Sequence, residues 1–259
     1  MSLYLLSDKY FDDYCKGLNV NLAEALQRLN NIELDAKTFT FYTSVAVISS
    51  SRIEGEAMEL DSYLQHKTQD IEYLPELVQK PNDLYDAYSY ARQNHLSEMC
   101  FLKSHVLLSR HLLPEMWRGV YRRGEMLVLE HNTGRIQYEA APAARVTTEI
   151  EKLWDDIIVL SEKYLGIEEV FYFASMIHLV FVNIHPFNDG NGRAGRLLEK
   201  WFLAEKLGEK AWLIPSEKYY YKHIDQYYAN LARLGMFYEK LDYRKADGFL
   251  WMLKESVNS

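Results

Sequence analysis

The stretch His185-Pro186-Phe187-Asn188-Asp189-Gly190-Asn191-Gly192-Arg193-Ala194-Gly195-Arg196 concentrates residues that could do chemistry. A histidine can take a proton from an attacking hydroxyl near neutral pH. Asp189 offers the oxygen ligand that Mg2+ prefers when it bridges phosphates. Gly190 and Gly192 free the backbone to turn and to aim N–H groups outward. Arg193 and Arg196 are three apart, so on a helix they project to nearly the same side. Two guanidinium groups beside outward amides describe a polyphosphate pocket, with His185 placed as a base at its edge.

Such a pocket needs one helix to deliver the histidine and another to supply the amides. A residue before proline is pushed out of the α region, so the long apolar helix predicted at 168–184 ends near Ile184 and presents His185 at its end. Phe187 is an apolar anchor for the loop, and Asp189 sits at an N-cap position. A helix at 191–206 follows, and its first turn is an anion site by its free amides and its dipole. Apolar residues at three- and four-residue spacing predict further helices near 20–30, 37–52, 82–97, 98–112, 146–164, 217–232 and 243–256.

One region breaks the helical pattern. A β-rich run at 125–130, a glycine-containing turn cluster at 131–134 and an alternating run at 135–138 read as a hairpin. A lone hairpin is marginal in water, so it must lean on the helical body, as a decoration or as a flap over a site. The expected fold class is all-α: a helical bundle with a small β-hairpin flap.

The 259 residues carry a formal net charge of −8, which argues against a nucleic-acid partner. Cys15 and Cys100 form no CxxC pattern, so neither a disulfide framework nor a structural zinc site is expected. The apolar run 171–187 contains Met176, His178 and Asn183, and reads as a buried core helix rather than a membrane span. The first residues lack the basic region of a signal peptide, and the expected location is cytoplasmic, with no membrane partner.

The twelve-residue stretch resembles the motif of the Fic (Fic/Doc) family of protein adenylyltransferases, HPFx(D/E)GNGRxxR, and every fixed position matches. The resemblance covers about residues 85–235. It implies a Fic-type helical bundle that transfers AMP from ATP to a protein Tyr, Thr or Ser hydroxyl. His185 would be the general base, and Asp189 would hold Mg2+ on the α- and β-phosphates. Gly190, Asn191 and Gly192 would form the anion hole, and Arg193 and Arg196 would hold the β- and γ-phosphates. Tyr227 and Tyr228 resemble aromatic positions near the nucleotide base, the alternative being core tyrosines. An unidentified target protein would dock at the flap, 125–138, by strand addition. The resemblance leaves room for a homo-oligomer.

Ser50-Ser51-Arg52-Ile53-Glu54-Gly55 resembles the inhibitory motif of the same family, (S/T)xxxE(G/N). Ser50 and Glu54 share a helix face, and Gly55 is placed to end that helix. The resemblance implies that Glu54 pairs with Arg196 and takes it from the γ-phosphate, so the chain restrains itself. The expected organisation is therefore 1–80, a helical segment carrying the inhibitory helix, and 81–259, a catalytic core with C-terminal helices.

Rival readings exist. Gly190, Gly192 and Gly195 satisfy GxGxxG, with 180–184 as a strand before it and Glu217 after it, the fingerprint of a dinucleotide-binding oxidoreductase. That fingerprint needs alternating strands and helices, and leaves His185, Asp189 and both arginines unexplained. His178 and His185 are two helical turns apart, but no dense ligand cluster makes them a metal hydrolase. A binding module could keep the pocket without turnover, although His185 and both arginines speak for chemistry. Within the family, use of another nucleotide and removal of AMP assisted by Glu54 stay open.

Overall fold

A computed structural model describes residues 3–17, 20–129 and 136–259. These residues form twelve α-helices and one two-stranded antiparallel sheet. The centre is α8 (Ile167–Ile184), in which fourteen of eighteen residues are buried. Its length and apolarity would suffice to cross a membrane, but 83% of the span is buried inside the protein, as in a core helix. Its sequence is apolar nearly all round, so it must be covered on every side. The cover comes from α7 (Val146–Glu162), α9 (Asn191–Leu207), α12 (Asp247–Ser256) and α1 (Phe11–Gly17).

A second layer consists of α2 (Leu22–Asn30), α3 (Ala36–Ile53), α4 (Leu60–Gln69), α5 (Pro75–Arg92) and α6 (Glu98–Leu108). The short helix α10 (Ser216–Lys222) lies between α3 and α12, and α11 (Ile224–Ala232) packs on α10 and α12. Asp35 caps α3 by accepting the Thr38 N–H at 2.7 Å, and Ser97 caps α6 by accepting the Cys100 N–H at 3.3 Å. One hydrophobic cluster runs from Leu6 to Leu253. The Asp156 carboxylate accepts the N–H groups of Tyr4, Leu5 and Leu6 at 2.7–2.8 Å, which pins the N-terminal segment to α7.

The hairpin consists of β1 (Leu127–Leu129) and β2 (Ile136–Glu139), with Val128 opposite Tyr138 and a bulge between Val128 and Leu129. The turn expected at 131–134 lies outside the described residues. The sheet does lean on the body: Tyr138 donates to the Asn183 carbonyl at 2.9 Å, and Glu139 N–H donates to Met236 O at 2.7 Å.

Several boundaries differ from those expected. Helix α5 begins at Pro75 rather than 82, with Pro81 inside it, so 80/81 falls within a helix. The helix expected at 217–232 is two helices, because His223 leaves the helical region with ψ 40°. The last helix begins at Asp247 after a short 3-10 turn. Helices α1 and α4 were not expected. Residues 180–184 lie inside α8, so the strand a GxGxxG fingerprint requires is a helix instead.

Candidate active site

His185 ends α8 in the left-handed region, φ 54° and ψ 59°. That conformation is rare for a residue with a Cβ, and Pro186 forbids continuation of the helix. The position is held from outside by Arg122, which is 2% exposed. Its Nε donates to His185 O at 2.7 Å, and its Nη2 donates to Ile184 O at 3.1 Å and Ala141 O at 2.6 Å. Its Nη1 donates to Gly124 O at 2.7 Å. A buried cation at the carbonyl end of a helix is favourably placed, and here it ties both feet of the hairpin to the end of α8.

The His185 ring has one nitrogen committed. Nδ1 lies 3.1 Å from Val182 O, an acceptor only, so in the neutral ring Nδ1 carries the hydrogen and Nε2 keeps its lone pair. Burial lowers the pKa, as does Arg122, while the Val182 carbonyl, Glu54 and Asp189 oppose the shift. The net direction is downward, toward a neutral base at pH 7.

The loop after His185 is fixed by two residues. Phe187 is fully buried and stacks on His105 with ring centroids 3.5 Å apart. Asn191 Oδ1 accepts the Phe187 N–H at 2.8 Å and its Nδ2 donates to Phe187 O at 2.9 Å. The Asn191 side chain is thus committed to the loop, and what it can offer an anion is its amide. His105 accepts the Gly119 N–H on Nδ1 at 2.9 Å, so Nε2 carries the hydrogen that bonds Asp189 O at 3.0 Å. Burial pushes the His105 pKa down to about 4, which keeps this arrangement neutral.

Gly190, not Asp189, caps α9. It adopts φ +80°, and a Cβ there would also lie 2.9 Å from Leu108 Cδ1. Asp189 instead is exposed, with Oδ1 accepting the Gly190 N–H at 2.6 Å. Helix geometry leaves the amides of Asn191, Gly192 and Arg193 without partners inside α9, since its first bond runs from Ala194 N–H to Gly190 O. This turn is an anion cradle. Among the described residues, no group of three His, Cys, Asp or Glu side chains could hold a metal alone. A single exposed carboxylate at the cradle does fit Mg2+ shared with phosphates and water, its usual mode of binding.

A carboxylate lies against the cradle. Glu54 ends α3, and a Cβ on Gly192 would collide with its Oε1. Arg196, 1% exposed, donates from Nη2 to Glu54 Oε1 at 2.6 Å and to Ser50 O at 3.1 Å, and from Nε to Ser50 Oγ at 2.8 Å. Burial raises the Glu54 pKa, but Arg196 and Arg193 outweigh it and hold the carboxyl below its usual range. Arg193 is 4% exposed, and its Nη2 donates to Glu56 Oε1 at 3.1 Å. Its buried Nε has no partner among the described residues, as expected of a donor awaiting an anion.

Behind Arg196, Nη1 donates to the Tyr227 hydroxyl at 3.4 Å, which lies 3.1 Å from His178 Nε2; His178 Nδ1 meets Glu199 at 2.8 Å. Tyr227 is therefore a core residue supporting Arg196, and His178 is a satisfied core histidine. Tyr228 is half-buried and donates to Ile53 O at 3.1 Å.

Residues 95–203 match the family described as Fic/DOC. The chain carries a Fic/DOC family domain. Similar solved structures include a Fic family protein from Desulfovibrio desulfuricans, 21% identical, with a TM-score of 0.76 over 100% of this chain and 75% of that one. A Fic domain-containing signalling protein from Bacteroides thetaiotaomicron is 15% identical, with a TM-score of 0.64 over 97% of this chain and 94% of that one. Fic-1 from C. elegans is 18% identical, with a TM-score of 0.63 over 96% of this chain and 66% of that one. No curated protein matches the chain. These likenesses establish the Fic helical fold with its hairpin. The Fic match takes in His105, Arg122, His185 and both arginines, and leaves out Ser50, Glu54, Tyr227 and Tyr228. His105, Arg122 and Glu56 escaped the sequence reading. Each acts through tertiary contacts, and no spacing in the sequence announces them.

Proposed function

We propose that this protein transfers AMP from ATP to a hydroxyl of a protein side chain, and that Glu54 restrains it. The observation that carries the reading is a histidine whose Nδ1 is committed to Val182 O and whose Nε2 is not, delivered by the same loop that opens the anion cradle. The attacking hydroxyl loses its proton to His185 Nε2 while its oxygen bonds to the α-phosphorus. The bond from that phosphorus to the bridging oxygen breaks, and pyrophosphate leaves with the electron pair. The amides of Asn191 and Gly192 and the guanidinium groups of Arg193 and Arg196 hold the phosphate charge, work that consists of positioning and electrostatic stabilisation. Mg2+, held by Asp189 when bound, neutralises phosphate oxygens. The exposed flap residues Leu127, Leu129 and Ile136 offer apolar contacts to a target segment.

In the present state the Glu54 carboxylate competes with a phosphate for both Arg196 and the first turn of α9. The test is incubation of Glu54→Gly with ATP labelled at either the α- or the γ-phosphate. Label on protein from the α position alone supports nucleotidyl transfer. Label from the γ position alone means phosphoryl transfer and overturns the reading.

A further inference from the structure

Glu54 is not the only carboxylate on the cradle. Glu56, two residues on, reaches the other arginine: Arg193 Nη2 donates to Glu56 Oε1 at 3.1 Å. The same oxygen accepts Lys80 Nζ, from α5, at 2.8 Å. The Arg193 and Glu56 side chains are only 5% and 16% exposed, so solvent screens this pair less than a surface ion pair.

The two carboxylates belong to one tight turn. Gly55 between them takes φ +84°, its N–H donates to Arg52 O at 3.0 Å, and the Glu56 N–H donates to Ser51 O at 3.1 Å. This geometry ends α3 and directs Glu54 to Arg196 and Glu56 to Arg193 at once. The contact with Lys80 fastens the turn to α5.

We propose that Glu56 is a second restraining residue, which masks Arg193 from the nucleotide phosphates as Glu54 masks Arg196. This rests on the reading of the cradle as a nucleotide site. Opening the site fully then requires release of the whole turn 54–56. Replacement of Glu54 alone frees Arg196 and leaves Arg193 neutralised. With both carboxylates gone, both guanidinium groups are available to the β- and γ-phosphates, and the affinity gained depends on those phosphates being present.

The test is calorimetric titration of the full chain with Mg-ATP and, separately, with AMP. The proteins are Glu54→Gly, Glu54→Gly/Glu56→Gln and Glu54→Gly/Lys80→Met. The doubly altered Glu56→Gln protein is expected to bind ATP about fivefold or more tighter than Glu54→Gly, the effect of losing one shielded ionic competitor. AMP affinity is expected to stay within about twofold, inside ordinary surface-mutation scatter. Lys80→Met is expected to give no gain, because Arg193 keeps its carboxylate. Equal ATP affinities with and without Glu56 overturn the proposal, as does an equal gain for AMP. A Lys80→Met gain as large as that of Glu56→Gln also overturns it, since Glu56 then acts only as an anchor for the turn. Absence of ATP binding to every protein overturns the nucleotide reading itself, an outcome distinct from the others.

Discussion

Arg196 and Glu54 are 142 residues apart in sequence and meet at 2.6 Å. The arginine is 1% exposed and the glutamate side chain 31%, so the pair is buried on one side and open on the other. Such a contact can be broken from the open side, and what then remains is a buried cation without its counter-charge. That asymmetry gives a measurable consequence beyond activity. Glu54→Gly is expected to lose about 1–3 kcal/mol of stability without nucleotide, a buried-pair cost reduced for exposure. Saturating Mg-ATP should restore much of it, because phosphate replaces the carboxylate. Thermal unfolding with and without nucleotide checks this. A variant as stable as wild type that ATP does not stabilise further would contradict it.

For His185, the expected effect of replacement by alanine is a loss of transfer of about 10²–10⁴-fold with ATP binding kept. The pH profile carries further information. The base works when neutral, and burial lowers its pKa from the ordinary 6.5. The rate constant kcat/KM should therefore be flat near neutrality and fall only on the acid side, below pH 6.5. Because Glu54 raises the His185 pKa, its removal should move that acid limb to lower pH. A limb centred above pH 7 would contradict the assignment.

His105 links pH to stability. Its folded pKa is about 4 against an ordinary 6.5, so between these values the unfolded chain takes the proton first. Its contribution is complete above pH 6.5 and is lost as pH falls toward 4. A lowering to about 4 corresponds to about 3 kcal/mol. Denaturant unfolding of wild type and His105→Asn should differ in slope against pH across this window. The variant should also transfer more slowly, since the Asp189 loop loses a fixed contact. Parallel stability curves from pH 4 to 6.5 would reject this account of His105.

How much of this was legible in the sequence divides along physical lines. Helix α8 is apolar nearly all round, and the HPF loop with its glycines carries local signals, so both were readable from single residues. Glu54 was readable only through the resemblance of its motif. Glu56, Arg122 and His105 were not readable, because each acts through a tertiary contact that leaves no period in the chain. Asp189 looked like a helix cap by residue type, but Gly190, in the left-handed region, takes the cap position, and the helix starts at Asn191 as expected. Apolar spacing placed that helix at 82–97, whereas the observed helix α5 runs from Pro75 to Arg92 and passes through Pro81.

Removal of divalent ions should abolish transfer, and Asp189→Ala should reduce it about tenfold or more, the scale of a lost charge-stabilising group in a positioned site. Titration of Mg2+ into chelator-treated protein checks both statements. Undiminished transfer in excess chelator would remove Asp189 from its role.

The central claim is that His185 drives nucleotidyl transfer in a cradle restrained by Glu54. Its most direct test measures incorporation of α-labelled ATP into protein by wild type, Glu54→Gly and Glu54→Gly/His185→Ala. The account predicts weak labelling by wild type, at least about tenfold more by Glu54→Gly, within the usual range of coupling between sites, and a return to background in the double variant. Labelling by the double variant as strong as by Glu54→Gly, or no gain from Glu54→Gly over wild type, would contradict it.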